Sequence, residues 1–150
     1  MWTKEAIINR LIFLLNTNSC SHFFNHLSEL SNEQMRNRID TASGATKFIN
    51  ITKDEVEKLV ISSFNEDIDY ILDWLNDNSD GEIWEIEVVC DKIVGMGYIK
   101  EKWHNWSKGP VDCSSILVIL KKTNSGNNFY IASIYPTTNE NDKKNFLQKK

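Results

Sequence analysis

Cysteine is scarce in this chain. Cys20, Cys90 and Cys113 are the three residues of that type, and none stands in C-x-x-C spacing. An odd count without that spacing argues against a disulfide framework and against a cysteine zinc site. Reduced thiols are the default, and one disulfide between two of them stays open. Basic excess is lacking too. The net charge is -4 over 150 residues, which excludes a globally basic nucleic-acid binder. No apolar run is long. Met1 to Asn16 is amphipathic and broken by Arg10, and Leu11 to Leu15 is too short for a signal-peptide core or a membrane span. If the protein is exported, the signal is expected elsewhere than on this chain. G-x-S-x-G, P-loop and dinucleotide fingerprints are absent; Gly95-Met-Gly97 lacks a third glycine and a following helix. With no repeat and no linker composition, a single domain over 1–150 is expected, with its core at about 3–137 and a polar tail at 138–150.

What is present divides into a helical first half and a β-rich second half. Ile7, Ile8, Leu11, Ile12 and Leu15 give helical spacing over Thr3 to Leu15. Phe23, Phe24, Leu27 and Leu30 suggest a second helix bearing His22 and His26. Ser31 with Gln34 forms a capping-box pattern ahead of Met35, Arg36, Arg38 and Ile39. Thr41 to Thr46 reads as a small-residue loop. Thr52 with Glu55 is another capping box, opening a helix through Val56, Leu59, Val60 and Phe64. Asn65 reads as the cap of the next helix, striped by Ile68, Ile71, Leu72 and Leu75. Asn76 to Gly81 breaks it. Strands then follow at Glu82–Val89, Ile93–Lys100, Ser115–Leu120 and Asn128–Pro136, with a hairpin loop at Lys121–Asn128. The apolar run Ser115–Leu120 suits a central strand. Gly95 and Gly97 share one strand face, which marks a bulge or a close approach of another backbone or a ligand. Helices first and an antiparallel sheet second is the α+β pattern.

Several side chains could carry chemistry. His22 and His26 are one helical turn apart, with Glu29 near, but neither H-E-x-x-H nor a third ligand at readable spacing accompanies them. One packed and one exposed histidine is the plainer alternative, and a catalytic histidine the third. Arg36 and Arg38 point to different faces of their helix, so one of them faces any site. Beside a phosphate such an arginine supplies fixed charge and paired hydrogen bonds. Ser133 and Tyr135 share a strand face, which fits either a half-buried structural face or a site. Trp103, His104 and Trp106 in one loop could stack a base or plug a core. From Lys92 to Lys122 the balance is basic, Lys100 included, so an anionic partner would meet this half.

In order and spacing these motifs resemble the bacterial toxin domains of pancreatic-ribonuclease-like fold found at the C-termini of contact-dependent growth-inhibition proteins and other polymorphic toxins. His22-Phe-Phe-Asn-His26 resembles the family's His-x-x-x-His opening, and Leu30 to Ile39 its short helix ending in Arg-Leu. Ala45-Thr-Lys-Phe48, Tyr70 to Leu75, Ile93 to Gly97 and the closing segments Ser115–Lys122 and Phe129–Pro136 are similar to later elements. The resemblance covers about His22 to Thr137. It implies a ribonuclease A-like α+β fold, with N-terminal helices on a C-terminal antiparallel sheet, and RNA cleavage without a metal or cofactor. It implies a site of His26, Arg38, Ser133 and Tyr135, with Arg36 the fallback arginine. His22, Arg36, Lys100 and Trp103 are then candidates for binding RNA. Ser133 stands where the family usually has threonine.

The implied partners are RNA, with particular tRNAs a narrow substrate suited to an acidic chain, and a cognate immunity protein. The implied place of action is the cytoplasm of a target cell, reached by delivery or secretion. The competing class is a non-enzymatic binding protein, such as an immunity protein that neutralises a toxin; small size and acidic charge fit it.

Overall fold

The computed structural model describes residues 1–17, 45–77, 81–98, 110–123 and 127–139. Thr3 starts the first helix, α1 (Lys4–Leu15), by accepting a hydrogen bond from the Ala6 amide at 3.2 Å. Its buried stripe is Ile7, Leu11, Leu14 and Leu15. Ile12, expected inside, is 42% exposed, and Leu14 takes its place. Asn16 and Thr17 close the helix by donating to the carbonyls of Ile12 and Leu14.

A short strand, β1 (Ala45–Phe48), precedes α2 (Lys53–Glu66). The capping box is formed at α2. Thr52 Oγ1 accepts from the Glu55 amide, and Glu55 Oε1 accepts from the Thr52 amide, each at 3.2 Å. Val56, Val60 and Phe64 are its buried face. Asn65 is not a cap: it lies within α2, and Asp67 joins that helix to α3 (Ile68–Asn76). α3 buries Ile71, Trp74 and Leu75.

The remaining strands are β2 (Ile83–Val89), β3 (Gly95–Tyr98), β4 (Val111–Cys113), β5 (Ser115–Lys122) and β6 (Phe129–Thr137). They form two three-stranded sheets rather than one, ordered β2-β5-β6 and β1-β3-β4. β5 is central in its sheet, as its apolar run suggests. The bonds Lys122 N to Glu82 O and Cys90 N to Ser114 O bracket β2 and β5 as an antiparallel pair. Thr123 N donates to Asn128 O and closes the β5–β6 hairpin. In the other sheet β3 pairs antiparallel with β1, Phe48 facing Gly95 and Thr46 facing Gly97, and with β4, Gly95 facing Cys113. Two short strands differ from expectation: Ala45 and Thr46 are strand rather than loop, and β4 adds a strand at Val111. Lys121 and Lys122 extend β5 instead of opening the loop.

The described chain divides into two compact units. The first holds α1, α2, α3, nearly all of β2, β5 from Leu117 and β6 up to Ile134. Here α1 packs on α2 and α3. Arg10 Nε donates to the Phe129 carbonyl at 3.1 Å, and the Trp2 ring packs against the Phe129 ring at 5.2 Å with their planes tilted by 55°, so helix and sheet are tied. Trp74 lies 6.0 Å from Trp84, donates to the Gly81 carbonyl, and carries the Lys122 ammonium over its ring. The second unit holds β1, β3, β4, the start of β5 and β6 from Tyr135. The architecture is α+β. No helix among the described residues is long and apolar enough to cross a membrane.

Candidate active site

Strand β6 carries both of its proposed site residues in regular β geometry. Ser133 and Tyr135 are two positions apart, hence on one face, and both are half-buried. Ile134 and Pro136, on the opposite face, are buried. At the start of the strand the phase is reversed, with Phe129 buried and Tyr130 exposed. The half-buried face is therefore confined to the later part of β6. Among the described residues, none hydrogen-bonds the Ser133 hydroxyl.

Within the second unit the end of β6 is held at Pro136. Thr46 Oγ1, buried, donates to the Pro136 carbonyl at 2.7 Å. The Pro136 ring fills the space above Gly95, where a β-carbon would come within 2.5 Å of two ring atoms and 2.7 Å of the Lys47 carbonyl. The close approach expected at this glycine is thus that of a proline ring and a neighbouring backbone. Two residues past the strand, Asn139 Nδ2 donates to Ser114 Oγ at 2.9 Å and Ser115 Oγ at 3.0 Å. The expected polar tail is anchored at least this far.

Sequence reasoning missed Thr46, because a threonine in a run of small residues gives no signal of a bond to a carbonyl 90 positions away. His26, Arg38, His22, Arg36, Lys100 and Trp103 lie outside the described residues, as do His104, Trp106 and Cys20. Among the described residues no cluster of three or more His, Cys, Asp or Glu could hold a metal ion. Cys90 and Cys113 are buried. Burial pushes the Cys90 thiol above its ordinary pKa, Asp91 adds to the rise and Lys92 opposes it. A thiol so held is a poor nucleophile.

Comparison with known proteins adds the family. A comparison with curated proteins found no match. Among solved structures, the chain is similar to one described as the crystal structure of a CdiA-CT/CdiI complex from Y. kristensenii 33638. The two share 18% identity at a TM-score of 0.55, covering 77% of this chain and 98% of that one, which establishes a shared fold. The model of the family described as the bacterial CdiA-CT RNAse A domain matches residues 21–136, a span that begins just before His22 and ends at Pro136. The chain belongs to the bacterial CdiA-CT RNAse A domain family.

Proposed function

We propose that this chain is a ribonuclease toxin that cleaves RNA without a metal, by attack of a 2′-hydroxyl on the adjacent phosphorus. The observation that carries the proposal is the family match over residues 21–136, which encloses His26, Arg38, Ser133 and Tyr135. The paired placement of Ser133 and Tyr135 on one half-buried face of β6 supports it.

The chemistry needs three things. A base must take the 2′-hydroxyl proton as the O2′–P bond forms. Charge on the phosphorane must be stabilised. A proton must reach the 5′-oxygen as the P–O5′ bond breaks. His26 does the proton work, since an imidazole titrates near pH 6.5. The Arg38 guanidinium and the Ser133 hydroxyl donate hydrogen bonds to the phosphorane oxygens. Tyr135 positions the phosphate and shares proton transfer with His26. The products are a 2′,3′-cyclic phosphate and a free 5′-hydroxyl. DNA lacks the nucleophile and resists. His22, Arg36, Lys100 and Trp103 contact the rest of the RNA.

The net charge of -4 disfavours tight binding to RNA of any sequence and fits a narrow substrate such as particular tRNAs. The neighbouring fold was solved as a CdiA-CT/CdiI complex, which supports a cognate immunity protein for this chain. The place of action that belongs to this reading is the cytoplasm of a target cell, where the RNA substrate lies. Incubation of total cellular RNA with the purified chain, followed by gel analysis, tests the proposal. Discrete RNA fragments are expected with wild type in EDTA, and intact RNA with a folded His26→Ala variant. Full cleavage by that variant, or activity lost in EDTA and restored by one divalent ion, overturns it.

A further inference from the structure

We infer that Thr46 is a positioning residue for Tyr135, acting through the main chain of Pro136; the inference rests on the site proposed above. Tyr135 precedes a proline, and the proline ring restricts the backbone of the residue before it to extended conformations. Wherever Pro136 is fixed, the Cα–Cβ direction of Tyr135 is fixed with it. Two contacts fix Pro136. Its ring sits against Gly95, and its carbonyl accepts from Thr46 Oγ1 at 2.7 Å.

Thr46 is suited to this role by its own placement. It is 7% exposed, on the same strand face as Phe48, and it pairs in register with Gly97 while Phe48 pairs with Gly95. Side-chain bulk on this part of the sheet therefore comes from β1, and β3 contributes two buried glycines. The hydroxyl of Thr46 is the hydrogen-bond donor that this face directs at Pro136. Alternation along β6 puts Tyr135 on the strand face opposite Pro136, so the clamp and the phenol occupy different faces of one strand. The clamp sets the direction of the phenol without touching the reacting atoms.

The test compares Thr46→Val, which keeps the shape and deletes the donor, with Thr46→Ser, which keeps the donor. Steady-state cleavage of RNA is measured in wild-type and Tyr135→Phe backgrounds, with a thermal melt of each protein. Thr46→Val is expected to lower kcat about tenfold or more at little change in KM, the cost of a small misplacement of a catalytic group. Thr46→Ser is expected to stay close to wild type. In the Tyr135→Phe background Thr46→Val is expected to cost little further. Should the valine protein fail to fold, Thr46→Ala replaces it in the same cycle. Full kcat in a folded Thr46→Val protein overturns the inference, as does an equal loss in both backgrounds. If Tyr135→Phe cleaves RNA as wild type does, the proposed site itself fails, and that outcome is distinct from a failure of Thr46 alone.

Discussion

The ring of Pro136 stands where a β-carbon on Gly95 would be: such an atom would lie 2.3 Å from the proline Cβ. Neither partner can retreat easily, since the proline carbonyl is tied to Thr46 and Gly95 is paired on both sides, to Phe48 and to Cys113. Gly95→Ala is therefore expected to destabilise the protein by about 1–3 kcal/mol, the usual cost of overpacking a core. Gly81→Ala is the control. Nothing lies within 4 Å of a β-carbon there, and the change is expected to stay within about 0.5 kcal/mol. Urea unfolding of the three proteins checks both values.

At the start of α2 the reciprocal pair Thr52 and Glu55 satisfies two amides that the helix leaves without partners. Thr52→Ala is expected to cost about 1 kcal/mol, and Thr52→Ser much less. Equal melting of alanine and threonine proteins would show that the box contributes nothing to stability.

The Cys90 thiol gives a pH dependence with a definite sign. Its folded-state pKa is raised above the ordinary 9.0, so the unfolded chain ionises first as pH rises. The stabilisation that keeps the buried thiol protonated is complete below that ordinary value and falls as pH climbs through and beyond it. Against Cys90→Ala, wild type is expected to lose relative stability as pH rises through the ordinary value of 9.0 and beyond it. A difference that grows over this range would reverse the assigned sign. Alkylation of Cys90 in the folded protein at neutral pH is expected to be slow for the same reason.

Ser133 separates hydroxyl chemistry from side-chain shape. Ser133→Ala is expected to reduce the rate of RNA cleavage by about a hundredfold, the scale of losing one donor to developing charge. Ser133→Thr keeps the donor and restricts χ1, so activity at or above wild type is expected. A serine-to-alanine protein with unchanged kcat removes Ser133 from the site.

Features encoded within a few residues were legible in the sequence. The Thr52–Glu55 box, the limits of α1 and the shared face of Ser133 and Tyr135 each depend on local spacing alone. Features that depend on distant partners were not. β1 is four residues long and pairs with β3 some fifty positions away, so Ala45 and Thr46 looked like loop. β4, at three residues, is too short for a period to show. Lys122 falls within the hairpin loop expected from the sequence, yet its backbone continues β5 and its ammonium reaches the Trp74 ring and the Asp77 carbonyl. Asn65 had cap chemistry but no need of it, because α2 continues to Glu66 and Asp67 makes the junction. Of the candidate site, the strand-borne pair is seen on one face, and the histidines and arginines lie outside the described residues.

Both compact units draw on β6, the first up to Ile134 and the second from Tyr135. Each is assembled from stretches of chain that alternate along the sequence, so neither can be cut out as a continuous fragment. A chain shortened before Phe129 lacks a strand of one unit and the Pro136 anchor of the other. Contacts of such long sequence separation form late, after much chain entropy has been lost. During ribosomal synthesis, or threading through any narrow passage from the N-terminal side, both units remain unfinished until β6 has emerged. Completion of the two is then a single, shared event.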